Sequence, residues 1–373
     1  MGRNAALLTS ATLSILILGS AVTTAPSALA ADGIVWTPDT SITSFDAVAA
    51  AYGNGTYVVA GGSTTSVLVS TDGASFTTAA TGVARTWNAI TYAGGRFVAV
   101  GDTGGYMSSN DGVTWSGGAN TSNTWSGVAY GNSTYTAVSS NPGGWSAMTS
   151  ADGATWTSRS IGENDWTDVA FGNGTFVAVK NGKTATSADG TTWTVHAAAA
   201  LNNPYGIAFG NGTFAAVSSL GSRVWVSTDG VTWTAAASIE SESWKAVSFG
   251  DGTFLAVADG GATATSTDGS TWTSQGSPLG VAYLQAAAVG GGRFLIGAVS
   301  GSPRVAFGVI PSTQGPPPPS WLRAYARASE ATACEEGWAP SWEAWPNGGT
   351  GGWTCTQSIA WINGGWATVA GYR

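Results

Sequence analysis

The sequence predicts an all-β fold, a seven-bladed β-propeller followed by a small disulfide-stapled domain, and three observations carry that reading. A seven-residue motif, Ser-x-Asp-Gly-x-Thr-Trp with small variations, occurs six times: Ser70 to Phe76, Ser109 to Trp115, Ser150 to Trp156, Ser187 to Trp193, Ser227 to Trp233 and Ser266 to Trp272. A second motif, most often aromatic-Gly-Asn-Gly-Thr-aromatic, interleaves with it. It closes on Tyr57, Phe97, Tyr135, Phe176, Phe214, Phe254 and Phe294, at spacings of 40, 38, 41, 38, 40 and 40 residues. Such a period accommodates four short strands and their turns. Composition agrees: 9% charged residues, 54 glycines and 19 tryptophans suit tight turns and pleated strands better than helices.

Within one unit the first strand runs from Trp166 to Phe171 and ends in the turn Gly172-Asn173-Gly174. Asn-Gly between apolar runs is a strong hairpin signal, since both residues tolerate positive φ. The second strand, Thr175 to Val179, alternates apolar residues. The third ends at Ser187, and the Asp189-Gly190 turn leads to a fourth centred on Trp193.

Six complete Asp motifs and seven hairpin motifs are reconciled at the chain ends. The segment Ala31 to Thr37 matches the second half of the Asp motif, and Trp36 to Phe76 is again 40 residues. The last unit offers strands near Tyr283 to Val289, Arg293 to Ala298 and Arg304 to Val309, and lacks the fourth. The N-terminal strand is expected to close that last blade and so remove an exposed sheet edge. Residues 31–310 therefore form the propeller.

The repeated Ser-x-Asp-Gly-x-Thr-Trp resembles the Asp-box, or BNR, repeat of sialidase-like β-propellers, one residue shorter than the commonest form. The resemblance implies a secreted propeller. It leaves function open, because the repeat is shared by hydrolases, lectins and non-catalytic scaffolds.

The acids of the motif, Asp72, Asp111, Asp152, Asp189, Asp229 and Asp268, each sit in a two-residue turn. There an Asp accepts backbone N–H groups and fixes the turn, so a structural role outweighs calcium binding or catalysis. Asn54, Asn132, Asn173 and Asn211 fall in Asn-x-Thr sequons, but the hairpin itself demands the Asn.

Topology places the Asp motifs and the Gly-Asn-Gly turns on one face. The opposite face carries connections that vary in length and content, as binding loops do. On that side the sequence places an aromatic at the start of each inner strand: Phe45, Trp87, Trp125, Trp166, Tyr205, Trp244 and Tyr283. Two readings compete. The rings form platforms on which sugars stack, or they pack the seams between adjacent blades. Under the first, Trp87, Trp125, Trp166, Tyr205, Trp244 and Tyr283 are the ligand-binding residues and the partner is a glycan or cell-wall polysaccharide.

A sialidase-like site, as the resemblance implies it, needs three arginines, an acid and a tyrosine–glutamate pair. The variable face offers Arg85, Arg159, Arg223 and Arg304, but residues 34–60 hold no Arg and the family's Arg-Ile-Pro segment is absent. Other glycosidases need two facing carboxylates. Asp102, Glu163 and Glu240 are placed to face a central cavity, with nothing to pair any two of them. A single histidine, His196, argues against acid–base triads and histidine metal sites, and no cofactor is implied. The expected function is a secreted, non-catalytic binding protein that recognises a glycan or cell surface through the variable face, with a sialidase-like hydrolase or a protein-interaction scaffold as alternatives.

With 13 basic and 21 acidic residues and a net charge of −8, the chain is a poor electrostatic partner for nucleic acid or anionic lipid. Residues 1–30 read as a signal peptide: Arg3, a mildly apolar run from Ala5 to Val22, and the small-x-small site Ala28-Leu29-Ala30. No later stretch is apolar enough for a transmembrane anchor, so an extracellular product is expected. Residues 311–320 form a Pro-rich linker, and residues 321–373 pack seven tryptophans around Cys334 and Cys355, which are expected to pair as a disulfide.

Overall fold

The structure, a computed structural model, describes residues 33–309 apart from 221–222, 237–238 and 240–241, together with the backbone of five strands between residues 325 and 368. Seven four-stranded sheets account for residues 35–309, each sheet a blade. Their inner strands are Ala47–Gly53, Trp87–Ala93, Trp125–Gly131, Asp168–Gly172, Pro204–Gly210, Trp244–Gly250 and Leu284–Gly290, numbered here as blades 1 to 7. Every blade is antiparallel throughout, as short hairpin connections require. In blade 7 the outer position is taken by Val35–Pro38, which runs antiparallel to Val305–Val309 with Trp36 opposite Gly308.

The second strand of each blade is the most deeply placed. In Thr56–Gly61 and Thr253–Ala258 all six residues are buried. Val, Ala, Leu and Phe on both faces of these strands are expected where sheets pack on either side. The core divides into seven hydrophobic clusters, and each joins residues of adjacent blades, as where Val138 of blade 3 meets Trp166 and Phe176 of blade 4. Each blade therefore depends on its neighbours for a core.

The hairpin turns explain one glycine in particular. A Cβ on Gly172, just before its turn, would lie 2.1 Å from the ring of Phe209 in the next blade. That ring packs over the backbone of Gly172, and blade 3 repeats the arrangement with Gly131 under Phe171. The turn residues themselves, Asn173 and Gly174, both have positive φ, as the Asn-Gly signal requires.

Residues 325–368 contain a three-stranded sheet, with Gly352–Gln357 between Tyr325–Ala328 and Trp338–Glu343, and a hairpin of Ile359–Ile362 with Gly365–Thr368. The expected signal peptide, the linker at 311–320, Cys334 and the side chain of Cys355 lie outside the described residues, as does Glu240.

Candidate functional site

On the hairpin face the repeated side chains are consumed by the fold. Asp152 Oδ1 accepts from the N–H groups of Ala154 (2.9 Å) and Thr155 (2.7 Å) and from Ser150 Oγ (3.0 Å), while Trp156 Nε1 donates to Gly153 O at 3.2 Å. Asp111, Asp189, Asp229 and Asp268 repeat the pattern. The backbone N–H donors hold the Asp111 and Asp152 carboxyls down to about 2. The turn asparagines reach sideways. Asn173 Nδ2 donates to Gly212 O and Thr228 O of the next blade, Asn132 to Gly174 O and Ala188 O, and Asn211 to Gly252 O and Thr267 O.

On the variable face the aromatics do not form one ring. The residue that opens the inner strand is Ala47, Trp87, Trp125, Pro204, Trp244 or Leu284 in six blades, Trp166 holds the equivalent place two residues ahead of Asp168–Gly172 in blade 4, and all seven are buried. Trp87, Trp125, Trp166 and Trp244 are at most 2% exposed. They fill the seams between blades and offer no exposed ring face on which a sugar could stack, so the sugar-platform reading fails for these four. Phe45 is buried two residues ahead of that position. Tyr205 and Tyr283 are 45% and 52% exposed and lie one residue after it and one before it.

The position next to the opening residue is the one that faces the central channel: Val48, Asn88, Ser126, Thr167, Tyr205, Lys245 and Gln285. All seven line a cavity of about 410 Å³. A bulge follows the opening residue in six of the seven blades, which re-aims these side chains inward. The ring has two unequal halves. Asn88 donates to Trp125 O (3.0 Å), Ser126 to Trp166 O (2.7 Å) and Thr167 to Pro204 O (3.0 Å), each stitching its blade to the next. Across the channel stand the long side chains of Tyr205, Lys245 and Gln285. The Lys245 ammonium sits 4.5 Å from the centre of the Tyr205 ring and 3.0 Å from Asp259. Sequence reasoning found Tyr205 and missed its six equivalents. Counting back four residues from the hairpin aromatics Tyr52, Tyr92, Tyr130, Phe171 and Phe249 would have found five of them, and from Val289 the sixth.

Asp168, deeper in the same wall, bridges three blades. Its Oδ2 accepts from the Ile207 N–H at 3.0 Å and its Oδ1 from its neighbour Val169 at 2.8 Å. It fits because Gly127 of blade 3 has no Cβ, which would stand 2.3 Å from Oδ1. Burial raises its carboxyl to about 7, against the two N–H donors. The residue keeps a partial opening to the channel, but the carboxyl group is walled by backbone, and that governs the direction.

Asp102, Glu163, Arg85, Arg159 and Arg304, weighed for catalysis, are engaged elsewhere. Asp102 accepts from Asn88 at 2.9 Å, and Glu163 is held by Lys180 (3.3 Å) and Lys183. Asp46 pairs with Arg304 at 2.8 Å. Arg85 and Arg159 bond within their own surroundings, and Arg85, Arg159, Arg223 and Arg304 belong to four different blades. His196, on an outer strand, bonds Thr186 at 2.8 Å.

No family model matches the chain, and no curated protein does. Solved structures share the fold. Virginiamycin B lyase from Staphylococcus aureus superposes with a TM-score of 0.63 at 9% identity, over 74% of this chain and 98% of that one. YCF48 bound to D1 peptide gives 0.57 at 14%, over 74% and 96%. A chain of the mitotic checkpoint complex gives 0.57 at 9%, over 81% and 99%. At these identities the likeness is one of fold alone.

Proposed function

We propose that this chain is an exported, non-catalytic binding protein whose variable face holds a polypeptide partner. One observation carries the reading. The aromatic rings that stand exposed among the described residues, Trp145 (48%), Tyr205 and Tyr283, all lie on the variable face, joined there by Leu220 (57%). Large aromatics offered to solvent beside polar groups are the usual anchors of protein interfaces. The half of the channel ring that makes no bond to a neighbouring blade's backbone, Tyr205, Lys245 and Gln285, adds a polar rim. Propellers of this architecture include one bound to a peptide and one within a multiprotein complex. A glycan partner is the lesser reading, because four of its six intended platforms are buried.

The wider assignment belongs to the same proposal. The repeat supports reading the chain as an Asp-box propeller. Residues 1–30 direct export, and the N-terminal strand locks blade 7 against fraying. A Cys334–Cys355 disulfide staples a Trp-rich module that anchors the propeller or adds avidity.

The test is site-specific photo-crosslinking from Tyr205 and Tyr283, with Val113 on the hairpin face as the control position. The expected result is a polypeptide adduct from the first two sites, absent from the third and lost in Trp145→Ala combined with Leu220→Ala. Binding confined to a glycan array, with no polypeptide adduct, would overturn the reading.

A further inference from the structure

Six of the seven connections that run from an outer strand to the next inner strand drop a side chain into the seam they cross. Ile161, Leu201, Ile239 and Leu279 are buried there against Trp166, Trp225, Trp244 and Leu284, and Ile42 is half-buried beside Phe45 and Leu68. In the seam of blades 2 and 3 an amide does this: Asn120 turns onto Trp156 O and Ser158 Oγ, both at 3.5 Å.

The connection from blade 1 to blade 2 is the exception. Its outer strand, Thr77–Arg85, is nine residues long, against two to four in the other blades. It stays paired with Thr64–Ser70 through an irregular register until Arg85, two residues before Trp87. It therefore buries no isoleucine or leucine in the seam: Ala79 is its buried contribution, and Val83 ends on the rim, 42% exposed. What remains is a pocket of about 120 Å³ walled by Thr81, Val83, Arg85, Trp87, Met107 and Ala119. An apolar cavity of ~150 Å³ holds a benzene molecule, so this one has room for a four-carbon side chain.

The filled seam of blades 3 and 4 shows what such a pocket accepts. There one stretch of chain supplies both Ile161 and, two residues on, the Glu163 carbonyl that accepts from Trp166 Nε1 at 2.9 Å. Trp87 is 2% exposed and its Nε1 has no partner among the described residues. Trp244 is equally unpartnered beside its own Ile239, so the missing isoleucine or leucine is the primary argument and the carbonyl the secondary one. The third element is charge. The Arg85 guanidinium bonds only carbonyl and hydroxyl oxygens of Asp102 and Thr103, and forms no ion pair among the described residues. A carboxylate entering from outside would meet it.

We infer that the pocket between blades 1 and 2 is a binding site for a partner polypeptide that inserts an isoleucine or leucine, with an acidic residue close behind it. The inference rests on the polypeptide-binding reading and names the feature the partner must present. The probe is the chain's own plug, a capped peptide with the sequence from Arg159 to Asn164, titrated into the full-length protein. Its binding is followed on the indole N–H resonance of Trp87, assigned by its loss in Trp87→Phe. A saturable shift is expected. The peptide carrying Ile161→Gly should bind roughly ten- to a hundredfold more weakly, the effect of one buried aliphatic side chain. Filling the pocket from either wall, by Thr81→Leu or by Ala119→Leu, should abolish the shift. A Trp87 resonance that does not move, or equal binding of the glycine peptide, overturns the inference. Crosslinking at Tyr205 without the Trp87 shift removes this pocket alone. The shift without any crosslinked polypeptide leaves the pocket and removes the wider reading.

Discussion

On the hairpin face the same side chains perform the same task in blade after blade. Asp caps the turn, Trp closes under it, and Asn reaches to the neighbour. On the variable face one register position carries Val48, Asn88, Ser126, Thr167, Tyr205, Lys245 and Gln285, of which three bond the backbone of the next blade, while Lys245 pairs with Asp259 and stands over Tyr205. Repetition marks where geometry leaves a single solution, because a turn with two positive-φ residues admits few side chains. Variation marks where the fold leaves a choice. The residues most conspicuous in the sequence are therefore mostly scaffold, and the residues free to meet a partner are those that break the repeat.

The comparison can be broken most forcefully at a seam. Trp166→Ala should cost about 3–5 kcal/mol in chemical denaturation, as truncation of a buried core aromatic does. A cost near zero would return Trp166 to the ligand-facing set. The channel wall offers a sharper test through pH. Asp168 has its carboxyl raised from 3.8 to about 7 in the folded chain. Between those values the folded state holds a proton that the unfolded state has lost, so stability falls as pH rises through the window. The effect should be on the order of 1–2 kcal/mol, given the residue's partial opening to the channel, and Asp168→Asn should flatten it. Urea titrations at pH 4.5 and pH 7.5 read the difference directly, and an unchanged slope would place the proton elsewhere. The smallest effect belongs to the variable rim. Tyr205→Ala and Trp145→Ala should each change stability by less than about 0.5 kcal/mol, while reducing partner capture. A large loss in thermal melts would move these rings from surface to scaffold.

The sequence revealed the blade count, the strand order and the Asp-turn chemistry, because a repeat read seven times averages away local ambiguity. It blurred the register at the inner strands. There the aromatic that opens blades 2, 3, 4 and 6 is replaced by Ala47, Pro204 and Leu284 in the others, and Phe45, Tyr205 and Tyr283 stand within two residues of those positions. A shift of one residue exchanges a seam for a channel, since alternate side chains point to opposite faces. The seam pocket was invisible for another reason: it is made by a strand that runs too long, and strand length is set by pairing across the sheet.

The turn asparagines also bear on how long the molecule lasts. Asn173 and Asn211 precede glycines, the sequence context in which the side-chain amide is most readily hydrolysed by way of a succinimide. In the folded propeller each of these amides donates to two carbonyl oxygens of the next blade. Conversion to a carboxylate would replace a donor with a negative charge facing two acceptors, so that chemical ageing would weaken the blade-to-blade bonds on the most regular side of the ring. Blade 6 carries the aged residue from the outset, and it has adapted: Asp251 accepts from the Gly292 N–H at 2.7 Å.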